Sequence, residues 1–145
     1  MKITVEHGPV AENEIILRCK ELDDEMLHVL ALLETRNQRL YAWDADKSTI
    51  LLSPATVLYA ESVEENTFLY CKKVVYQTPL TLAELELRCS ALGFQRVSRT
   101  MVANLHRIHS LKSCAAARIE ATMENGERIM VSRHYAPLLK ERLGV

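Results

Sequence analysis

The side chains best suited to chemistry in this sequence are cationic and lie in its second half. Residues 88–142 hold ten Lys or Arg against four acids, whereas residues 1–45 hold five against nine. Lys and Arg neutralise phosphates and release the counterions condensed on a nucleic acid. A basic part joined to an acidic part therefore favours phosphate binding, although surfaces also vary by a few charges without any function.

Histidine and cysteine offer a second chemistry, metal binding, which their spacing does not favour. His106 and His109 are three residues apart, and on a strand such residues point to opposite faces. The cysteines include no C-x-x-C pair, so we expect small buried hydrophobes or spectators. They are Cys19, Cys71, Cys89 and Cys114. We expect no metal site and no cofactor.

Catalytic motifs are also missing from the sequence. It has no G-x-S-x-G elbow, no G-x-x-x-x-G-K-[ST] loop, and only four glycines. The carboxylate pairs Asp23-Asp24 and Glu64-Glu65 fall at a helix start and in a turn, and Asp44 and Asp46 fall in a loop, which explains them without catalysis. We therefore expect a binding protein and not an enzyme.

Hydropathy places the chain among cytoplasmic proteins with no membrane insertion. No stretch approaches 18 consecutive apolar residues, and the N-terminus has no apolar signal region. With 145 residues, 48% of them hydrophobic, the chain is long enough for one domain with a core and a short extension.

The elements that position these side chains are predicted to change type near residue 45. Residues 14–19 and 40–43 read as strands, and residues 24–36 read as a helix, since Met26, Leu27, Leu30 and Leu33 recur at helical spacing. Residues 1–45 are thus predicted to form a small β-α-β element. The polar stretch 44–48 is the predicted boundary, and 46–145 is the second domain.

Short strands dominate the predicted second domain. They are placed at 49–52, 57–62, 67–72, 74–77, 94–98, 108–111, 118–123 and 127–131. Thr81 and Glu84 form a capping box that opens a helix, which Gly93 ends in the left-handed conformation. Asn125-Gly126 predicts a hairpin, and Tyr135 to Leu143 predicts a short terminal helix. The fold class is mainly β, with α and β mixed.

Three stretches together resemble the LytTR DNA-binding domain family. They are residues 57–70, then Phe94-Gln95-Arg96-Val97-Ser98-Arg99-Thr100-Met101-Val102-Ala103-Asn104, then Asn125-Gly126 through Val131-Ser132-Arg133-His134-Tyr135. The resemblance covers about 46–145 and keeps the family's order. It implies an elongated β domain that inserts loops into the major grooves of double-stranded DNA, in a bacterial regulator of transcription.

The same resemblance implies partners. Family members often occupy repeated promoter half-sites as dimers, so a homodimer is expected, and the helix at 24–36 offers a dimer surface. Most members carry a receiver domain ahead of the DNA reader. The 45 preceding residues are too few for one, so the chain resembles a stand-alone regulator set by abundance, by a regulatory protein partner or by another signal.

The resemblance also assigns the DNA-contacting positions. It places Asn66 in the first hairpin turn, Arg99 where an arginine would read guanine, and Arg133 at a third contact. The whole set, expected to converge on one side of the scaffold, is Asn66, Arg96, Ser98, Arg99, Asn104, Arg133 and His134.

Each position also has an ordinary interpretation without DNA. One of Arg96 and Arg99 could be on a solvated strand face, and Asn66 could be a turn residue beside two repelling acids. Asn104 could fix a turn, and Ser132 could cap a helix.

A protein-interaction module without DNA binding is the alternative function. In that case the β domain would bind another protein, and the acidic N-terminal part would dock or dimerise. The two functions differ in their response to salt, which weakens phosphate contacts steeply.

Overall fold

The order of the elements follows the sequence pattern closely from residue 24 onward. A computed structural model describes residues 1–35 and 39–145. Its helices are α1 Asp24–Thr35, α2 Leu82–Cys89 and α3 Ala136–Leu143. Its strands are β1 Leu40–Trp43, β2 Thr49–Leu52, β3 Val57–Val63, β4 Asn66–Cys71, β5 Val75–Thr78, β6 Phe94–Ser98, β7 Met101–Asn104, β8 Ile108–Ser113, β9 Ile119–Met123 and β10 Arg128–Val131.

The strands form two antiparallel sheets. The larger has seven strands in the order β2-β1-β5-β4-β3-β7-β6, and the smaller has the order β10-β9-β8. One face of the large sheet packs on α2 around Leu69, Leu85 and Phe94. The other face packs on the small sheet and α3 around Val97 and Met123. The predicted mainly β fold with one capped helix and a short terminal helix is confirmed.

A bond between Tyr59 and Glu127 ties the two sheets together. The Tyr59 hydroxyl donates to the Glu127 carboxylate, and the Tyr59 ring stacks on Tyr70 at 4.4 Å between centroids. Burial, and then the bond to Glu127, raise the pKa of Tyr59 well above its usual value. The neutral phenol is therefore the form that joins the sheets.

The capped helix α2 forms largely as predicted. The Thr81 hydroxyl accepts a bond from the Glu84 N–H at 3.1 Å and donates to the Glu84 carboxylate at 3.3 Å. The carboxylate therefore meets the hydroxyl and not the Thr81 N–H that a full capping box would use. Leu80, which precedes the helix, and Leu85, which lies within it, are both buried. Burial raises the pKa of Cys89 to about 11, so its thiol packs as a neutral hydrophobe.

The N-terminal part differs from its prediction. The predicted strand at 14–19 is wrong, because residues 1–23 contain no strand or helix, and Ile15 and Ile16 stay exposed. Among the described residues, no strand of the same chain pairs with this segment. The helix is present as α1, and Asp23 caps it by accepting from the Met26 N–H at 2.9 Å. Its predicted last residue, 36, lies outside the described residues.

The strand predicted at 40–43 forms, but it joins the large sheet. As β1 it pairs with β2 along its whole length and meets β5 at Trp43 and Gln77. The polar stretch 44–48 is the turn between β1 and β2, where the Asp44 carboxylate accepts from two backbone N–H groups. The predicted domain boundary near residue 45 stays a prediction. The pairing of β1 with β2 joins residues from the two sides of that boundary.

The sequence analysis did not predict one of the strands. Residues Met101–Asn104 form β7, which lies between β3 and β6. Three of its four residues are buried. A strand buried on both faces loses the alternation that marks a half-buried one, so periodicity could not find it.

Changing Gly93 and Gly126 to Ala separates backbone strain from steric contact. Both glycines have positive φ, at +94° and +90°. A Cβ at Gly126 would meet nothing within 4 Å, whereas one at Gly93 would lie 2.6 Å from the His106 ring. We expect Gly126→Ala to lower the free energy of unfolding by about 1–2 kcal/mol and Gly93→Ala to lower it further. Urea unfolding measures both, and equal losses would contradict the contact at Gly93.

The raised pKa of Tyr59 predicts a loss of stability in alkali. The neutral phenol is favoured in the folded state, so its contribution is complete below the unfolded pKa near 10 and falls as pH rises toward the folded pKa. Tyr59→Phe removes this contribution. We expect the free energy of unfolding to fall less above pH 10 in Tyr59→Phe than in the parent. Parallel curves from urea unfolding at each pH would refute the assignment.

Candidate nucleic-acid interface

Three turns meet at one end of the molecule, which we call the loop end: residues 63–66, 98–101 and 132–135. The Ser62 N–H donates to the Thr100 carbonyl at 2.8 Å, which joins the first two turns. The Ser132 N–H donates to the Val97 carbonyl at 2.9 Å, which joins the third. The turns that hold the predicted contacts therefore lie together.

A β-bulge in β6 makes the second of these bonds possible. The pairing of β6 with β7 shifts by one residue between Arg96 and Ser98. An extra residue in one strand turns a backbone group away from the ladder. Here the Val97 carbonyl faces the small sheet and receives the Ser132 N–H. Val97 itself is fully buried, so the bulge is held by the core.

The first turn is a two-residue hairpin made by Glu64 and Glu65. Both have positive φ, at +50° and +68°, which is the conformation of a type I′ turn. Asn66 lies one position later, as the first residue of β4, so the placement of Asn66 in the turn itself is corrected by one residue. Its exposed amide donates to the Glu64 carbonyl at 3.4 Å and accepts from Gln77 at 3.3 Å. Both bonds are long, so the amide can exchange them for others.

The second turn is held by Arg96. The Arg96 guanidinium forms an ion pair with Glu86 of α2 and donates to the Arg99 carbonyl at 2.8 Å. Ser98 adds a bond, since its hydroxyl accepts from the Thr100 N–H at 3.3 Å. The Arg96 side chain is only 19% exposed. Arg96 and Ser98 thus shape the turn, and Glu86 is a positioning residue that the sequence pattern did not reveal.

Arg99 and Arg133 are exposed cations at the loop end. In the described part of the chain, no acceptor bonds either guanidinium. Because both are free of ion pairs there, they can bind a ligand without first breaking a contact. His134 is also exposed, with its ring edge-on to Tyr135 at 4.8 Å between centroids. Ser132 does not cap α3, which begins after Tyr135.

Asn104 does not belong to this surface. It is 2% exposed at the end of β7 that lies away from the turn at 98–101. Its amide donates to the Val57 carbonyl at 3.0 Å and accepts from the His106 N–H at 3.1 Å. At this burial neither end of the amide reaches solvent, so the structure gives Asn104 a structural role in place of the expected DNA contact.

Arg118 is a cation at the loop end that the sequence analysis missed. Ile119 pairs with Val131, which places Arg118 beside Ser132. Arg118 is exposed and donates from Nε to the Ala115 carbonyl at 3.3 Å. No sequence motif marked it, because its position depends on the pairing of β9 with β10.

Two observations bear on other chemistry. Among residues 1–35 and 39–145, no group of three or more His, Cys, Asp or Glu side chains could hold a metal ion. Within the same residues, no helix is both long and apolar enough to cross a membrane.

Comparison with known proteins decides the family. Residues 47–144 match the family described as the LytTr DNA-binding domain. The chain belongs to this family. The fold agrees: a LytTr DNA-binding domain of a putative methyl-accepting/DNA response regulator from Bacillus cereus superposes with a TM-score of 0.69 at 22% identity. That alignment covers 75% of this chain and all of the other.

Curated relatives share the LytTr part of the chain. The sensory transduction protein LytT of Bacillus cereus is 27% identical over 100 residues, which is 69% of this chain and 41% of that protein. LytT of Bacillus anthracis is 26% identical over 111 residues, or 77% and 45%. LytT of Enterococcus faecalis is 28% identical over 96 residues, or 66% and 39%. This LytTr chain spans less than half the length of these relatives.

The two asparagines give opposite predictions in this LytTr domain. Asn104→Ala leaves a buried carbonyl and an N–H without partners, so the free energy of unfolding should fall by about 1–3 kcal/mol or more. Affinity for DNA, measured well below the unfolding temperature, should stay unchanged. Asn66→Ala, at an exposed site with long bonds, should leave stability nearly unchanged and weaken DNA binding. Weakened DNA binding by a folded Asn104→Ala protein would refute the structural role.

Proposed function

We propose that this LytTr domain regulates transcription by binding promoter DNA with its loop end, the turns of which enter successive major grooves. The observation that carries the proposal is the convergence of three turns that present Arg99 and Arg133, neither of which is paired with another residue that the structure describes. Major-groove edges offer donor and acceptor patterns that distinguish base pairs, and turns of this size fit the groove. We also propose that the chain acts in the cytoplasm of a bacterium, in a binding role and not a catalytic one.

Arg99 and Arg133 carry the specific contacts in this proposal. A guanidinium can donate two parallel bonds to guanine O6 and N7, which is a common specific contact in DNA complexes. Asn66 can donate and accept at a base edge, such as that of adenine. Arg96 and Ser98 act through the shape of the turn, because their polar atoms are already engaged.

Phosphate contacts fall to the remaining side chains. Arg118 and His134 lie beside the third turn, where Arg118 supplies a positive charge and the His134 ring N–H supplies a donor. Glu64 and Glu65 oppose phosphate at the first turn, since carboxylates repel the backbone. We therefore expect the electrostatic attraction to come from the second and third turns and the first turn to supply selectivity.

Two copies of the chain are part of the proposal. Repeated promoter half-sites need two loop ends, and linking two binding modules raises overall affinity without any new contact to DNA. One copy offers few free cations, so a single half-site should bind weakly at physiological salt.

A protein-interaction function is the second candidate. Tyr41, Leu51 and Val75 are each about half exposed on one face of the large sheet, beyond the area that the small sheet covers. An exposed apolar face is typical of a protein contact. In this alternative the face binds a regulatory protein and the chain binds no DNA.

Substitution of Arg99 and Arg133 tests the DNA interface. We expect Arg99→Ala and Arg133→Ala each to weaken binding to the preferred site by about 1–3 kcal/mol, roughly fivefold to 150-fold, because each loses a bidentate contact. Arg128→Ala is the matched control, since it removes the same charge from the other end of β10, where the side chain is 73% exposed. Selection from a random DNA pool supplies the site, and titration at several salt concentrations measures the affinity.

The outcomes separate the two functions. A steep fall of affinity with salt in the parent and in Arg128→Ala supports the DNA interface. Unchanged affinity in both loop-end variants would remove these residues from the site. No retention of any DNA by the parent at low salt would instead favour the protein-interaction function.

A further inference from the structure

The N-terminal segment of the chain exposes apolar side chains to solvent. Residues 1–23 form no helix or strand. Ile15 and Ile16 are 67% and 65% exposed, and Leu17 is partly exposed as well. Consecutive β-branched and aliphatic residues favour a strand, yet here they face water. Such a cluster is costly in solution and is typical of a contact surface.

The large sheet has one protected edge and one open edge. At the edge formed by β6, the Val97 carbonyl bonds Ser132, and the Arg142 guanidinium donates to the Phe94 carbonyl at 3.3 Å. At the other edge, β2 pairs only with β1 among the described strands. The sequence of β2, Thr-Ile-Leu-Leu, contains no Lys and no Pro. Natural edge strands often carry such residues to prevent pairing with another chain; here Lys47 and Pro54 lie only in the flanks of β2.

The open edge and the unpaired segment match in length and in polarity. We propose that residues 14–18 of one copy pair with β2 of a second copy, and that the exchange is reciprocal. Strand β2 has Leu51 exposed on one face and Ile50 and Leu52 half-buried on the other. Alternate residues of an added strand face opposite sides, so Ile16 would cover one face while Ile15 and Leu17 cover the other.

Three features favour a second copy as the occupant. The segment does not pair with β2 of its own chain, and the first residue instead lies near α1, with Met1 N 4.0 Å from the Glu25 carboxylate. Residues 1–45 carry a net charge of −4 and residues 46–145 carry +3, so contacts between the parts of two copies are attractive. A reciprocal exchange about a twofold axis buries both segments and both edges at once.

The helix α1 is a less suitable dimer surface than expected. Met26 is buried, and Leu30 and Leu33 are half-buried against the same chain. Only Leu27 of that stripe is largely exposed. The segment at 14–18 therefore carries the interface. The pairing extends the proposed function, since it supplies the two loop ends that repeated half-sites need, but it requires no DNA.

Proline substitution in the full chain tests the pairing. Consecutive N–H groups of a strand point to opposite sides, so one of Ile15→Pro and Ile16→Pro must remove a bond to β2. We expect the parent to sediment as a dimer at micromolar concentration and at least one of the two variants to sediment as a monomer. Glu12→Pro, in the same irregular segment, is the control and should stay dimeric. Circular dichroism should keep the helix signal in all three, since none of the positions lies in a helix, and the monomeric variant should lose only the strand signal of the paired segment.

Cross-linking locates the contact. Cys19 is exposed next to the segment, and Thr49→Cys or Leu52→Cys adds a thiol at either end of β2. A short bismaleimide should join two chains into a product of twice the mass, and the position that reacts gives the strand direction. Cys19→Ser should abolish the product.

The results distinguish this inference from the DNA proposal. A monomeric parent, dimers that persist in both proline variants, or a link formed within one chain would each overturn the pairing. A dimer that the proline variants disrupt, in a parent that binds no DNA, would leave the pairing intact and refute the proposed function. If both proposals hold, the monomeric variant should bind a single half-site with the affinity of the parent. On two repeated half-sites it should lose the higher affinity that the dimeric parent shows.

Discussion

The bulge at Val97 is the constraint on which the rest of the molecule depends. By turning one carbonyl out of the large sheet, it gives Ser132 of the small sheet a backbone partner at 2.9 Å. The same strand then leads directly into the turn at 98–101, and the same bond fixes the start of the turn at 132–135. A single extra residue in β6 therefore sets both the join between the sheets and the position of two turns.

The loop end uses one of its few charged side chains, Arg96, to hold the shape of a turn. Arg96 is used for shape, since Glu86 and the Arg99 carbonyl occupy its guanidinium, and this leaves Arg99 exposed. An arginine that is already bonded has little to gain from phosphate, whereas an unpaired one breaks no protein contact when it binds. Buried and half-buried polar bonds therefore fix the shape of the surface. The side chains that take no part in those bonds are the ones available to a ligand.

Membership of the LytTr family accounts for residues 47–144, and the structure adds what lies before them. Strand β1 extends the large sheet toward the N-terminus, so the sheet ends in the open edge of β2. The segment before α1 has the composition of a strand without the neighbours that would make it one. Among the described residues neither this segment nor the outer edge of β2 is paired, and the association that we propose between them is separate from the loop end.

The sequence by itself determined the elements whose signals are local. The Thr81 cap, the left-handed Gly93, the Asn125-Gly126 hairpin and the alternation of residues 118–123 each depend on neighbours in the chain, and each forms. The family motifs predicted Asn66, Arg99 and Arg133 as DNA-contacting positions; all three are exposed at the loop end, and their contact with DNA stays a prediction.

Only the tertiary structure decided the features that depend on distant partners. Residues 14–19 have strand-forming side chains but no strand to pair with, and β7 loses its alternation because both of its faces are buried. Asn104 stands in the same motif as Arg99, yet its backbone partner at Val57 is 47 positions away and holds it in the core. Arg118 reaches the loop end only through the pairing of β9 with β10. A pattern in sequence reports what a residue prefers, whereas pairing and burial are set by residues far along the chain.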